Sequence, residues 1–238
     1  MITFYIPDTN LAVHEITDGN TRHLDDMLAV FKQLLPDYEF SVPTLIQNAQ
    51  RPSHYNPHLV EHQWYFEIDN QPAGMTVFKY VPFRDIGFGL YLGILPEFRK
   101  RSFGEYGRFS ELVIAATRVQ LQMDALEMGR KIPVGYVAEI AEPRLIERYQ
   151  QYGFIELPIV YHEPLLPGGR LTPLPPEQIE TAQFHRLRIG IFPIARETIN
   201  ITDPALLTQA VLALLVDHYN VPEDHWSIQL AFDSINSQ

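Results

Sequence analysis

The chain contains no cysteine, and this absence removes two kinds of chemistry. Disulfide cross-links and thiol nucleophiles are excluded, so no group transfer can pass through a covalent cysteinyl intermediate. Long apolar runs are also missing, since the longest, near residues 210–216, is far too short to span a bilayer. The N-terminal stretch lacks a basic region followed by a long apolar run, so we expect no signal peptide. These absences favour a cytoplasmic protein that makes no use of a membrane.

Basic residues are scarce, with 18 Lys and Arg against 29 Asp and Glu, which gives a formal net charge of −11 at pH 7. This balance disfavours nucleic acid and anionic membranes as partners and modestly favours a cationic one. Among catalytic patterns, the sequence has no nucleotide P-loop and no Ser-His-Asp arrangement, and Gly87-Phe88-Gly89 lies inside a predicted strand rather than before a helix. The 238 residues, 46% of them hydrophobic, are typical of a folded globular protein with an ample core.

Apolar periodicity and turn residues divide the chain into elements. Helices are predicted over His23–Leu35, Phe103–Met128, a short segment from Pro143 to Gly153, and Pro204–Tyr219, the last capped by Asp203. Strands are predicted over Trp64–Ile68, Ala73–Val81, Ile86–Leu95, Val134–Ile140, Phe154–Tyr161 and His185–Ile194, with an irregular proline-rich segment over Glu163–Gln178. A three-strand meander followed by alternating helices and strands predicts an α/β or α+β domain with a mixed sheet.

Positive charge and glycine are concentrated in one stretch, LPEFRKRSFGEYGRF, between the third predicted strand and the long helix. Arg99, Lys100 and Arg101 come first, Ser102 could cap the helix, and Gly104 would allow a ligand close to the backbone. A helix N-terminus offers unpaired N–H groups that suit a phosphate. Taken alone, the stretch favours an ordinary basic loop over an anion site.

Its neighbours make the stretch resemble the central motif of the GNAT superfamily of acyl-CoA-dependent N-acyltransferases. The strand end Ile94-Leu95-Pro96-Glu97-Phe98-Arg99 and the turn Arg99-Lys100-Arg101-Ser102-Phe103-Gly104 follow the family pattern, as does Tyr149-Gln150-Gln151-Tyr152-Gly153-Phe154 after the next strand. The resemblance covers about residues 20–162. It implies a GNAT-type mixed, mostly antiparallel sheet flanked by helices over residues 1–165, with residues 166–238 forming a C-terminal strand-helix extension packed on the same domain.

The resemblance also implies a binding site for acetyl-CoA as the acyl donor. The backbone of Leu92, Gly93 and Ile94 would hold the pantetheine arm, and the turn would hold the pyrophosphate through its N–H groups, with Arg99 and Arg101 supplying charge. The cofactor-binding set is therefore Leu92, Gly93, Ile94, Arg99, Lys100, Arg101, Ser102, Phe103 and Gly104. Two positions depart from the pattern: Ser102 stands where the family has its first turn glycine, and Lys100 where glycine is common.

Two residues are predicted to be catalytic. Tyr149 matches the family tyrosine that is placed to protonate the departing CoA thiolate, which a nearby phenol can do. Glu139 is the leading candidate for the base that deprotonates the amine, because a carboxylate within the apolar strand VGYVAEI is costly unless it is used or paired. A solvent-facing Glu139 is the alternative, and Glu67 and Tyr91 are weaker candidates on neighbouring strands.

Three histidines, His54, His58 and His62, recur every four residues, which on a helix would suggest a metal site. Pro52 and Pro57 interrupt any such helix, so solvated histidines in a loop are favoured and no metal is predicted.

The resulting hypothesis is an N-acetyltransferase that moves an acetyl group from acetyl-CoA to a primary amine of a small molecule or peptide by direct attack. The alternative is a CoA-binding or regulatory module of the same fold with little or no catalysis. The acceptor is left open, as is a homodimer, and neither nucleic acid nor a membrane is expected as a partner.

Overall fold

A computed structural model describes residues 3–6, 9–17, 19–50, 58–165, 182–194 and 199–237. The chain divides into two compact units. Residues 1–79 and 89–120 form the first unit, and residues 80–88 and 121–238 form the second. The predicted boundary between a core of residues 1–165 and an extension of residues 166–238 therefore falls inside the second unit.

The described residues contain nine strands and six α-helices. The strands are β1 Thr3–Tyr5, β2 Leu11–Glu15, β3 Val60–Ile68, β4 Gln71–Val81, β5 Ile86–Ile94, β6 Gly135–Ile140, β7 Ile155–Glu156, β8 Tyr161–Leu165 and β9 Gln183–Pro193. The α-helices are α1 Leu24–Leu34, α2 Val42–Gln50, α3 Phe109–Glu127, α4 Pro143–Gln150, α5 Pro204–Leu212 and α6 Trp226–Asn236. Short 3₁₀ turns occupy Pro36–Ser41, Pro96–Phe98 and Gly104–Tyr106, and Ala213–His218 is π-helical.

In the first unit, the strand order is β1-β2-β3-β4-β5, and the pairs β1/β2 and β2/β3 are antiparallel. The turn between β3 and β4 is made by Asp69 and Asn70, whose φ angles are 54° and 60°. Two successive left-handed residues are the signature of a type I′ hairpin, which Asp and Asn tolerate well. The predicted hairpin is confirmed, with β3 four residues longer at its start and β4 two residues longer next to the turn.

Strand β2 was not predicted, and its burial explains why. All five residues from Leu11 to Glu15 are buried, so the sequence LAVHE shows no alternation between apolar and polar positions. Its two polar side chains are paired inside the unit, His14 with Glu67 on β3 and Glu15 with His62 on β3. A strand whose polar residues are satisfied by distant partners cannot be recognised from local pattern alone.

The second unit contains residues 80–81 of β4, residues 86–88 of β5 and three strands in the order β6-β9-β7, with β8 also paired to β9. The β9 pairs with β6, β7 and β8 are all antiparallel. One strand was predicted over Phe154–Tyr161, but the structure has the two short strands β7 and β8, because Pro158 between them has no N–H to donate to a ladder.

Helix α3 differs from its prediction at its start and in its buried face. It begins at Phe109 rather than Phe103. The apolar spacing predicts Phe109, Leu112, Val113, Val119 and Met123 on one face of the helix. The first three are buried, but Val119 is 55% exposed and Met123 is 47% exposed. The buried positions are instead spaced by four residues through the middle of the helix, since Val113, Thr117 and Leu121 are all at most 2% exposed.

Other helices follow the sequence closely. In α1, Leu24, Met27, Leu28 and Phe31 are buried at the predicted spacing, and the helix stops before Pro36. In α5, the side chain of Asp203 accepts a hydrogen bond from the N–H of Ala205 at 3.0 Å, which is the predicted cap. Helix α6 was not predicted.

Both units combine antiparallel strands with flanking helices, so the predicted mixed, mostly antiparallel sheet flanked by helices is confirmed. Among the described residues, none of the helices combines the length and apolar character needed to cross a bilayer.

Candidate functional site

The segment between β5 and α3 in the first unit is a closed turn. Gly104 and Gly107 have φ angles of 62° and 73°, a conformation that glycine adopts without strain. The N–H of Phe103 donates to the carbonyl of Gly107 at 2.8 Å, and Ser102 forms an isolated β-bridge with Arg108. Two left-handed glycines cannot continue a helix, so α3 starts after them, and Ser102 is not the helix cap that the sequence suggested.

Open space lies beside Gly104, because no atom comes within 4 Å of the position that a Cβ would occupy there. Beside Gly107, in contrast, a Cβ would collide with the carboxylate of Glu111, which lies in the first turn of α3. The first N–H groups of a helix have no acceptor within it and attract negative charge. The helix start therefore suits an anion, but in the turn before it the N–H groups of Arg101, Phe103, Tyr106 and Gly107 already donate to backbone carbonyls, and a carboxylate lies beside it.

The predicted basic residues of the turn are placed differently from one another. Arg99 donates its Nε–H to the carbonyl of Ile94 at 2.9 Å, which ties its side chain back to the strand end. Arg101 pairs with Asp69 at 3.0 Å, an exposed contact that helps to hold the pKa of Asp69 below its usual value. Lys100 is exposed and has no side-chain partner among the described residues. Lys100 thus carries the least compensated charge of the three.

The three residues predicted to hold pantetheine form the end of β5. Gly93 and Ile94 are buried and Leu92 is partly exposed. A Cβ on Gly93 would lie 2.8 Å from a terminal methyl of Leu34 on α1, so a larger residue here would force that side chain to move. Of their carbonyls, that of Ile94 already accepts from Arg99.

Gly107, Arg108 and Glu111 belong to the same turn, and sequence reasoning did not single them out as site residues. The signal was the repeated spacing Gly104-Glu105-Tyr106-Gly107 directly before an amphipathic helix. Because the helix was expected to begin at Phe103, these residues were assigned to its first turns.

In the second unit, Tyr149 lies in the last turn of α4, and the aromatic rings of Phe154 and Phe192 lie 6.1 and 5.7 Å from its ring. Burial raises its pKa, so the phenol stays protonated at neutral pH. Tyr149 is partly exposed, and among the described residues its hydroxyl has no hydrogen-bond partner. This hydroxyl is accordingly free to donate a proton to a bound molecule.

Glu139 on β6 lies in a cluster of hydroxyl and carboxyl groups of the second unit. Its Oε1 accepts a hydrogen bond from the hydroxyl of Tyr161, and its Oε2 lies 3.0 Å from the hydroxyl of Tyr219. The same Tyr219 hydroxyl lies 2.9 Å from Oε1 of Glu163 on β8. Glu139 and Glu163 both keep partial exposure, whereas the two tyrosines are buried.

This geometry suits a shared proton. A tyrosine hydroxyl has one hydrogen, so Tyr219 can make a full hydrogen bond to only one of its two carboxyl neighbours. The other contact becomes a full hydrogen bond if that carboxyl is protonated and donates to the hydroxyl oxygen. One proton held by the pair Glu139 and Glu163 would therefore satisfy both contacts.

The titration of both carboxyl groups agrees with this arrangement. Burial, and then the nearby charge of Glu163, raise the pKa of Glu139 from its ordinary 4.5 to about 8. Burial also raises the pKa of Glu163, while Tyr219 and His185 oppose that rise. A carboxyl group with a pKa near 8 is a much stronger base than an ordinary glutamate.

Strand alternation separates the two predicted catalytic residues. Tyr136 and Phe192 are register partners on β6 and β9, and their rings stack at 5.8 Å on the face that Tyr149 covers. Glu139 is three residues from Tyr136 in a regular ladder, so its side chain points to the opposite face. The structure thus places the phenol and the carboxyl pair on different faces of β6 in the second unit.

The other candidates from the sequence have structural partners. Glu67 accepts a hydrogen bond from His14, and the Tyr91 hydroxyl contacts Ser41 Oγ at 3.0 Å. His62 lies within β3, buried, with its Nδ1 2.9 Å from Glu15. His54 falls outside the described residues. His62 is therefore neither on a helix nor in a solvated loop, so the loop prediction is wrong for this residue.

Comparison with solved structures identifies proteins to which this chain is similar. A protein from Bacteroides thetaiotaomicron assigned to the GNAT-family acetyltransferases has a TM-score of 0.52 and 16% identity, over 88% of this chain and 99% of that one. A GNAT-family acetyltransferase from Elizabethkingia anophelis with acetyl-CoA bound has a TM-score of 0.41 and 15% identity, over 77% and 98% of the two chains. A ribosomal L7/L12 alpha-N-protein acetyltransferase in complex with coenzyme A has a TM-score of 0.49 and 13% identity, over 82% and 100%.

No protein-family model matches the sequence, and no curated protein matches it. The structural likeness therefore carries the assignment, and it extends over nearly the whole length of the first protein above. The chain has the fold of the GNAT superfamily of acetyltransferases.

Proposed function

We propose that this protein is an acetyl-CoA-dependent N-acetyltransferase that acts on a primary amine. The observation that carries the proposal is the closed glycine turn before α3, which occurs in a chain of the GNAT fold. Backbone N–H groups at the start of a helix, with open space beside Gly104, suit the pyrophosphate of CoA.

The turn and the strand end of the first unit are proposed to hold the donor. The backbone of Leu92, Gly93 and Ile94 would take the pantetheine arm. The turn would take the pyrophosphate, with Lys100 as the residue best able to supply charge, because Arg99 and Arg101 already have partners. Glu111 beside Gly107 opposes anion binding, so its carboxylate must turn away when a phosphate is bound.

Glu139 and Tyr149 are proposed to move protons during the transfer. Acetyl-CoA supplies an activated thioester carbon. Glu139 takes a proton from the substrate ammonium, which frees the nitrogen lone pair to form the C–N bond. As the C–S bond breaks, its electron pair stays on sulfur and Tyr149 donates a proton to that thiolate. The nitrogen loses its second proton, which restores the Tyr149 phenol, and Glu139 releases its proton to solvent, so the products are an amide, a free thiol and one proton.

The raised pKa of Glu139 suits this role. An alkyl ammonium has a pKa of about 10, similar to lysine, so a base with an ordinary carboxylate pKa would accept its proton very unfavourably. With the pKa of Glu139 at about 8, the difference is about two units. The nitrogen and the sulfur are bonded to the same carbon in the tetrahedral intermediate, so groups on different faces of β6 cannot both contact it directly. One of the two therefore transfers its proton through a water molecule.

Calorimetry with CoA and a thiol-release assay over a panel of amines test the proposal. We expect CoA to bind and at least one amine to release free thiol from acetyl-CoA. Failure to bind CoA would refute the donor site.

A second candidate is a CoA-binding module without turnover. Ser102, at the position where the family pattern has glycine, and the pairing of Arg101 with Asp69 favour it, since both weaken the fit to a pyrophosphate. CoA binding without thiol release for any amine would support this candidate instead.

A further inference from the structure

Two histidines and a glutamate from separate parts of the first unit converge at one place. His14 lies on β2, His23 directly precedes α1, and Glu67 lies on β3. One nitrogen from each imidazole and one oxygen of the carboxylate all lie within 4.8 Å of one another. His14 is buried, and the other two side chains are only 15% and 20% exposed.

The fold brings these residues together through the ladder between β2 and β3. His14 is the register partner of Tyr65, and Ala12 is the register partner of Glu67. His14 and Glu67 are therefore diagonal neighbours on one face of the pair, and His14 Nε2 lies 2.8 Å from Glu67 Oε2. The start of α1 then places the ring of His23 against that of His14, with 4.0 Å between their centroids.

The packing of the first unit does not explain the position of the His23 imidazole. Its Nδ1 is buried and has no hydrogen-bond partner among the described residues, and the nearest carboxylate oxygen, of Asp26, is 3.5 Å away. Buried polar nitrogens nearly always have a hydrogen-bond partner or a ligand, so a buried nitrogen without a hydrogen-bond partner indicates a site for a bound ligand. His23 also precedes α1 without making a cap hydrogen bond through its side chain.

We propose that His14, His23 and Glu67 bind a divalent transition-metal ion of the zinc class. Two imidazoles and a carboxylate are the ligands that Zn²⁺ prefers, whereas Mg²⁺ and Ca²⁺ prefer oxygen ligands alone. Ligand atoms about 2.1 Å from one zinc ion lie about 3.4 Å apart, so the present separations need only small side-chain rotations.

The site would join the start of α1 to the β2/β3 pair. Asp26, in the first turn of α1, or a water molecule would complete the coordination. Because all the ligands belong to the folded first unit, bound metal stabilises the native state by mass action. The proposal goes beyond the acetyltransferase function and does not depend on it.

The test uses the full chain, purified without a histidine tag and stripped with a chelator. Calorimetry with ZnCl₂ and metal analysis after gel filtration should show one zinc ion per chain, and a thermal melt should shift upward with zinc. Separately, His14→Ala and His23→Ala should each weaken zinc binding at least about 10-fold, because each removes one of three protein ligands. His58→Ala removes an exposed histidine of the same unit and should bind zinc as the parent does.

Glu67→Gln guards against loss of folding, since an amide oxygen can still accept the hydrogen bond from His14 while the charge is removed. This variant should keep the circular dichroism spectrum of the parent and lose zinc affinity. The proposal is overturned if the folded parent chain binds no zinc, or if His23→Ala binds it as tightly as the parent. Its failure would leave the CoA-binding measurements untouched.

Discussion

The substitution Glu163→Gln tests whether the two carboxyl groups of the second unit act as one titrating pair. Glutamine keeps the size of the side chain, and its amide can still contact the hydroxyl of Tyr219, so the geometry of the cluster is preserved. The change removes only the charge that contributes to the raised pKa of Glu139.

The size of the effect can be worked out from the distances. Tyr219 bridges the two groups, with contacts of 3.0 Å to Glu139 and 2.9 Å to Glu163, so the bridged oxygens lie less than about 6 Å apart. Two unit charges at about 6 Å, at an effective dielectric constant of about 20, interact with about 3 kcal/mol, which corresponds to about two pK units. Residual solvent exposure reduces this, so we expect a decrease of about one to two units.

The assay is the pH dependence of kcat/KM for acetyl transfer. In the parent protein, activity should rise with pH through a midpoint near the pKa of Glu139, which is about 8. In Glu163→Gln, the midpoint should move to lower pH by about one to two units. The ¹³C resonance of the Glu139 carboxyl gives the same midpoint without any need for turnover.

The matched control is Glu156→Gln, which changes the net charge equally but removes a carboxylate that pairs with Arg188. This variant should leave the midpoint unchanged. If Glu163→Gln also leaves the Glu139 resonance midpoint in place, the two carboxyl groups do not share a proton, and the reasoning is refuted.

Three further predictions concern the same two sites. If the phenol protonates the thiolate, Tyr149→Phe should lower kcat about 100-fold with little change in CoA affinity. The control Tyr152→Phe should keep the kcat of the parent. Equal activity of the two variants would contradict the assignment. Glu111→Gln should tighten CoA binding by about 1 kcal/mol, because it removes a negative charge beside the turn. The control Glu105→Gln, at an exposed position, should have less effect. If Glu111→Gln binds CoA no more tightly than the parent, the pyrophosphate lies elsewhere. Folding raises the pKa of Glu139 from 4.5 to about 8, so between these pH values the folded chain binds more protons than the unfolded chain, and the free energy of unfolding should fall as pH rises from about 4.5 to about 8. Glu139→Gln should weaken this pH dependence, measured by urea unfolding. An equal pH dependence in parent and variant would argue against a buried carboxyl.

The sequence predicted those helices and turns whose defining residues lie close together in the chain. The hairpin at Asp69-Asn70 and helix α1 were predicted because turn residues and apolar spacing lie within a few positions of one another. The start of α3 was misplaced because Gly104 and Gly107 were counted as helical, although both have positive φ. Their spacing indicated a turn only once its closing hydrogen bond, from Phe103 to Gly107, was known.

Residues of the candidate site could be predicted only where one side chain differed in polarity from the rest of its own strand or helix. Glu139 was noticed because it is a carboxylate in an apolar strand. Its partners could not be, since Tyr161 is 22 positions away and Tyr219 is 80 positions away in the sequence. The same reason hid His14, since its partner Glu67 is 53 positions distant. Such clusters are defined by strand register, which the sequence pattern did not determine.

The position of the Tyr219 side chain depends on the number of residues in the π-helical segment after α5. The N–H of Tyr219 bonds to the carbonyl of Leu214, five residues earlier, at 3.0 Å. A π-turn holds one residue more than an α-turn, so deleting one residue from 213–218 would allow an ordinary helix but rotate the downstream residues by about 100°. Such a chain would retain every side chain of the carboxyl cluster and still lose the bridging hydroxyl. Among related proteins, a one-residue gap in this segment would therefore mark the loss of the shared proton more reliably than the presence of a tyrosine would mark its retention.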